Sequence, residues 1–469
     1  MAVFRRSSDT LKSGRPPDWR EYQRRLQRQR RSRRPRGVWV GGVLAVVIVA
    51  VLAYLFSGPS DKSIANRETE APSPSVPPLA PTVDKATVQT LIKPTDLFNR
   101  ASGQFTIDGH GRPLRVETTL DMDLQRSLVG ALDPRTARFI AVVAVDPGTG
   151  RILAMAGYDR NGEAGNPCLD NRFPAASLFK IVTAAAAVEE AHLSGGSEVN
   201  FNGGRYTLYR SQIQEKVTRH TIRIPLRDAF AGSVNPVFGK LGALRLGMET
   251  LTRWAEAFGF NRAIAFEAAL APSRFEASAD AYHLAELASG FNRQTTVSPL
   301  HAALIAATTV NAGRLYEPSA VARIVDADGK LRYESRPHLI GKPMAAATAA
   351  EIAAMMEVSV RKGTCRKPFA GFSRDSVLQH LTIGGKSGSI DNQDHSARID
   401  WFAGWAVERK GSAKIAVAAM VAHEKYIGTR AGTYARRVMT DYFGKLFAAR
   451  KAEAAALGRA DGQNGGGRG

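Results

Sequence analysis

The sequence predicts an α/β chain of the α+β kind, a five-stranded antiparallel sheet flanked by helices, behind an N-terminal transmembrane helix. Three observations lead there. Strand-like apolar runs cluster at two places, two around residues 139–157 and three after residue 380. Mostly helical patterning lies between them, so one sheet has to be assembled from both ends of the chain. A twenty-residue stretch without a charge, Gly37–Phe56, follows a strongly basic N-terminus.

The N-terminus explains the charge. A formal net charge of +21 would by itself suggest a nucleic-acid partner, but residues 1–36 hold thirteen Lys/Arg against three Asp/Glu and end in the run Arg28–Arg36. Roughly half of the excess is therefore one arm, and nucleic acid is not predicted as a partner. At about 1.5 Å per residue, the uncharged stretch just crosses a bilayer core. Arginines on its N-terminal side predict a cytoplasmic arm, a single-pass anchor in the inner membrane and an exported bulk. A cleaved leader would need a small-x-small site, which Tyr54-Leu55-Phe56 does not offer. Gly58–Asp84 is polar and rich in Pro and Ser, so residues 57–89 are predicted as an extended tether. Order is expected over 90–449, and the Ala/Gly-rich residues 450–469 are expected to be a disordered tail.

Within the ordered part, Phe105–Ile107 and Leu114–Thr119 are short strand-like runs, and Asp121 is placed to cap a helix reaching Leu132. Phe139–Asp146 and Arg151–Gly157 flank Pro147-Gly-Thr-Gly150 and predict a hairpin. Thr348 and Glu351 have capping-box spacing, with Gly363 as the stop of that helix. Strands return at Leu381–Gly385, Trp401–Glu408 and Lys414–His423. An amphipathic helix over 430–449 then carries Tyr434, Val438, Tyr442 and Leu446 on one stripe. In an exported, oxidising compartment Cys168 and Cys365 are expected to pair, two buried thiols being the alternative.

A serine hydroxyl becomes a useful nucleophile only when a neighbour accepts its proton. Ser177-Leu-Phe-Lys180 opens an apolar helix, and the i, i+3 spacing puts hydroxyl and amine on one face. Lys180 acts as base only if burial and nearby positive charge depress its pKa, and Lys386 is the candidate for that charge. The motif alone is weak, because Ser359-Val-Arg-Lys362 has the same spelling. Ser359, however, continues the apolar stripe of Ile352, Met355 and Met356 and is read as structural. A second Lys-Ser-Gly, at 12–14, lies in the basic arm. The specific signal is the ordered set: Ser177-x-x-Lys180 at a helix start, Ser233-Val-Asn235 in a break between helices, and Lys386-Ser-Gly388 on a late strand.

This set resembles the penicillin-binding protein and serine β-lactamase superfamily, whose members carry S-x-x-K, S-x-N and K-[ST]-G in that order. Val116–Asp121 with Leu124-Gln125, Val143–Gly150, Ser298-Pro-Leu300, Asn311-Ala-Gly313 and Gly363-Thr364 extend the similarity over about residues 100–447. The resemblance implies a β-lactamase/transpeptidase-like fold. It also implies a peptidoglycan D,D-transpeptidase that acts on D-Ala-D-Ala stem peptides through an acyl-enzyme and is inhibited by β-lactams. By motif, Ser177 is the nucleophile and Lys180 its base, Ser233 relays a proton and Asn235 holds the substrate amide. Lys386, Ser387 and Gly388 bind the substrate carboxylate, and the backbone N–H groups of Ser177 and Ser389 form the oxyanion hole. Cell-wall synthesis machinery is the implied partner, and no cofactor is implied.

Two departures matter. Ser387 stands where Thr is commoner but keeps the hydroxyl. Ile390–Ile399 lengthens a strand connection and carries Asp391, Asp394 and His395, without the spacing of a metal loop, so no metal is predicted. Alternative functions are a D,D-carboxypeptidase or endopeptidase using the same residues with water, and a non-catalytic penicillin-binding scaffold or sensor. The intact nucleophilic set counts against the scaffold. No E-x-x-L-N-like element follows Asn235 to support a β-lactamase.

Overall fold

The runs ARFIAVVAV and KIAVAAMVAH hardly alternate, and strands of that kind have to be covered on both faces. In the computed structural model, which describes residues 83–464, they are adjacent inside a five-stranded antiparallel sheet. The order across it is Leu381–Asp391, Arg398–Glu408, Lys414–His423, Ala137–Val145, Ile152–Asp159. The early hairpin and the three late strands thus join as the sequence predicts, with Leu381–Asp391 at one edge. Alternate residues separate onto two faces. Ala141, Val143, Ala418 and Met420 pack with Phe179, Phe260 and Ile305, while Val142, Val417 and Ala419 pack with Leu128, Val438 and Phe443. Tyr434 and Val438 of the C-terminal helix are buried against that second face, with Tyr442 and Leu446 beside them, which is the predicted stripe. Asp121 caps the helix Met122–Gly130, accepting from the N–H groups of Asp123 and Leu124.

The predicted arm, the apolar span, the tether up to residue 82 and the last five residues of the tail lie outside the described residues. Among the described residues no helix is long and apolar enough to cross a membrane. Order begins before residue 90. Asp84 caps the helix Lys85–Leu91, Val88 is fully buried, and Lys85 Nζ donates to Glu317 Oε2 at 3.0 Å and to the Pro318 carbonyl at 3.1 Å. At the other end the helix Ala431–Asn464 runs past residue 449, because Lys451–Leu457 (KAEAAAL) consists of strong helix formers.

Three further expectations are corrected. Helix Ala346–Arg361 starts two residues before Thr348, and Glu351 binds the backbone N–H of Gly195 in place of its own helix end. A tertiary donor thus replaces the predicted capping box. The connection at 390–399 is shorter than expected, since pairing continues to Asp391 opposite Arg398 and leaves only 392–397 as the turn. No disulfide forms: Cys168 and Cys365 are both free, and they sit in the cores on opposite faces of the sheet, so the sheet itself separates them. The helical middle also contains short strands. Glu198–Phe201 pairs with Ile222–Pro225, and Val321–Val325 with Leu331–Glu334 extends a second sheet begun by Gln104–Asp108 and Pro113–Thr118.

Candidate active site

Ser177 lies in a 3-10 turn, Ala176–Phe179, that runs directly into the helix Lys180–Glu190. Ala176 adopts φ +50, so the turn is held in a left-handed conformation by its surroundings. The Ala175 N–H donates to the Thr295 carbonyl at 2.9 Å, and the Trp401 indole donates to the Pro174 carbonyl at 2.9 Å. Two glycines close in from either side. A Cβ on Gly388 would stand 3.2 Å from Ser177 N, and one on Gly290 would stand 3.0 Å from the same nitrogen while overlapping the Ala176 carbonyl. Gly388 was anticipated from its motif. Gly290 belongs to none of the motifs; in the structure it ends the helix Ala281–Ser289 at φ +66.

Lys180 is fully buried. Its Nζ lies 2.8 Å from Ser177 Oγ, 2.8 Å from Asn235 Oδ1 and 2.5 Å from the Ser289 carbonyl oxygen. Burial, and second to it the positive charge of Lys386, hold this amine well below the ordinary lysine range. A neutral amine has two N–H donors and one lone pair. Asn235 Oδ1 and the Ser289 carbonyl can only accept, so they take the two hydrogens, and the lone pair is left facing the one partner that can give a proton, Ser177. Ser289 is a site residue that the motifs did not reveal, since it contributes a backbone carbonyl that no side-chain pattern encodes.

Asn235 opens the helix Asn235–Lys240, and its own placement is backbone-driven. Its N–H donates to the Arg205 carbonyl at 2.7 Å and its Nδ2 donates to the Tyr206 carbonyl at 3.0 Å. Ser233 sits between this helix and Leu226–Ala231 with φ +54, and its Oγ accepts from Lys386 Nζ at 2.9 Å. Lys386 reaches across the cleft from the edge strand and also donates to the Ser387 carbonyl at 2.8 Å. Burial lowers its pKa to about 8, with Cys365 opposing. Ser387 Oγ donates to Thr364 Oγ1 at 2.7 Å, and Ser389 is exposed on the same strand. Seven of the eight candidate residues therefore converge through direct contacts, and Ser389 follows them along the strand. Ser359 is elsewhere: fully buried, its hydroxyl donates to the Met355 carbonyl at 3.2 Å. Among the described residues no group of His, Cys, Asp and Glu is arranged to hold a metal.

Residues 140–441 match the family model of the penicillin-binding protein transpeptidase domain. Penicillin-binding protein 3 of Bacillus subtilis is 24% identical over 327 residues, which are 65% of this chain and 47% of that protein, so the chain spans about half the length of this relative. The penicillin-binding protein PBPA of Mycobacterium tuberculosis has a similar fold, with a TM-score of 0.56 and 22% identity over 70% of this chain and 81% of that one. A D,D-transpeptidase domain of a peptidoglycan glycosyltransferase from Eggerthella lenta gives 0.58 and 21%, covering 77% and 91%. With a single family model matched over well over half of its length, this chain belongs to the penicillin-binding protein transpeptidase family.

Proposed function

We propose that the chain is a peptidoglycan D,D-transpeptidase that cross-links stem peptides through an acyl-enzyme on Ser177. Ser177 Oγ attacks the carbonyl carbon of the penultimate D-Ala as its proton passes to Lys180. The peptide C–N bond then breaks as the proton taken up by Lys180 passes by way of Ser233 to the leaving nitrogen, which frees the terminal D-Ala and returns Lys180 to its neutral form. The amino group of a second stem peptide attacks the ester, gives its proton to Lys180 and restores Ser177. Lys386 and Ser387 hold the donor's terminal carboxylate, Asn235 holds its amide, and the N–H groups of Ser177 and Ser389 stabilise the oxyanion.

The observation that carries this reading is the set of three partners around Lys180, two of them acceptors only and the third the Ser177 hydroxyl. Relatives support the β-lactam sensitivity it entails, for penicillin-binding protein A of M. tuberculosis has been solved as penicillin G and imipenem acyl-enzyme complexes. The charge-free span Gly37–Phe56 behind its basic arm supports a single-pass anchor in the inner membrane, with the catalytic domain on the outer face.

Intact mass after incubation with benzylpenicillin tests the reading on wild type, Ser177→Ala and Ser359→Ala. The expected outcome is a lasting penicilloyl adduct on wild type and Ser359→Ala and none on Ser177→Ala. Unconsumed penicillin with no adduct on any of them would instead indicate a scaffold, and penicillin destroyed without a lasting adduct a hydrolase.

A further inference from the structure

The segment between the paired strands Glu198–Phe201 and Ile222–Pro225 is long and basic. Over residues 202–221 it carries Arg205, Arg210, Lys216 and Arg219 against a single acid, Glu215, and Arg223 follows in the second strand. Some of these cations are used internally, Arg223 on Glu198 at 2.9 Å and Arg210 on Asp280 at 3.7 Å. Arg205 differs in position. Its carbonyl and that of Tyr206 anchor Asn235, so this dipeptide is fixed to the wall of the cleft by the same bonds that orient an active-site residue. Its guanidinium stands beside Gly232: a Cβ there would lie 3.6 Å from Arg205 Nη1. Gly232 directly precedes Ser233, whose hydroxyl meets Lys386 from the opposite wall. Arg205 is exposed and makes no ion pair among the described residues, and the neighbouring Tyr206 side chain is 61% exposed.

We propose that Arg205, flanked by Tyr206, binds a carboxylate of the donor stem peptide upstream of its D-Ala-D-Ala end. This rests on the transpeptidase reading above. Lys386 and Ser387 face the terminal carboxylate from the edge strand, so an anion met on the Ser233 wall belongs to another part of the peptide. A guanidinium is suited to it because its planar fork pairs both carboxylate oxygens at once. The aromatic face of Tyr206 supplies apolar cover for the peptide beside the pair. Peptides carrying a free carboxylate before the D-Ala-D-Ala unit are preferred over those carrying the carboxamide.

The test uses two N-acetylated tripeptides ending in D-Ala-D-Ala, identical except for a side-chain carboxylate or carboxamide on the first residue. For each, the concentration that halves the rate of benzylpenicillin acylation is measured on wild type, Arg205→Ala and Arg205→Lys. Each protein is normalised to its own rate without peptide. Wild type should be protected by the carboxylate peptide at about tenfold lower concentration, the scale of one charge-assisted contact at a partly exposed site. The ratio should fall to near one in Arg205→Ala and recover in part in Arg205→Lys. An acylated wild type without the preference, or an Arg205→Ala variant that keeps it, overturns the subsite alone. A wild type that benzylpenicillin does not acylate overturns the transpeptidase reading and the subsite with it.

Discussion

Replacing Gly290 by alanine should disable the nucleophile while leaving the fold largely intact. Gly290 ends the helix Ala281–Ser289 at φ +66, a conformation that costs an alanine about 1 kcal/mol or somewhat more. The added methyl meets backbone, not a flexible side chain: it overlaps the Ala176 carbonyl and stands 3.0 Å from Ser177 N. The turn bearing Ser177 has to move, or the 289–290 segment has to retreat and take the Ser289 carbonyl away from Lys180. A displacement of about 1 Å at reacting atoms costs on the order of a hundredfold in rate. Stopped-flow acylation by benzylpenicillin should therefore slow by about two decades. The Tm should fall by only a few degrees, at about 2–4 °C per kcal/mol for a domain of this size or somewhat smaller. Gly371→Ala is the control, because Gly371 has φ +75 but nothing within 4 Å of its Cβ. It should lose a similar amount of stability and acylate normally. Wild-type acylation by Gly290→Ala, or an equal loss in Gly371→Ala, would refute the argument that close backbone approach positions Ser177.

Acylation should depend on pH through the two lysines in opposite senses. Lys180 is held well below the ordinary lysine range by its burial and by the charge of Lys386, which favours the free base, whereas Lys386, at about 8, loses its charge above that pH. The second-order rate should consequently decline above about pH 8, as a rate profile on the free enzyme would record. His301 is buried, its imidazole lying 2.7 Å from Ser273 Oγ and 2.8 Å from the Phe258 carbonyl, and burial lowers its pKa from 6.5 to about 4. With the folded pKa depressed, the unfolded chain takes up the proton first, so stability is lost as pH falls from about 6.5 toward 4, by about 2 kcal/mol at pH 5. Denaturant titrations at pH 7 and 5 should record that loss in wild type and a smaller one in His301→Gln. Both cysteines should resist a thiol reagent in the native protein and both should react after unfolding, in reducing agent or without it.

The sheet was legible because its strands are long and doubly buried. Ala137–Val145 and Lys414–His423 carry so little polarity that only a covered central position suits them, and their neighbours follow from the Pro147–Gly150 turn and from chain order. The convergence of the three motifs was legible for a different reason. Ser177 and Lys180 are one helical turn apart, and each of the other two motifs likewise packs its chemistry into three consecutive residues. What escaped were partners far apart in the chain that speak through backbone atoms or through empty space. Nothing local tells Glu351 to cap Gly195 in preference to its own helix. Nothing marks the Ser289 carbonyl as the third neighbour of Lys180, or Gly290 as the residue that a turn 113 positions earlier in the chain must approach. The cysteines failed as a pair for the same reason, since which face of a sheet a residue reaches is settled only once the sheet exists. Local patterning determined the long strands, the helix start at Asp121 and the candidate set of side chains, because those depend on spacing within a few residues. Only the tertiary structure decided that Lys180 is dry and next to a second lysine, because burial and distance between remote segments are properties of the packed chain.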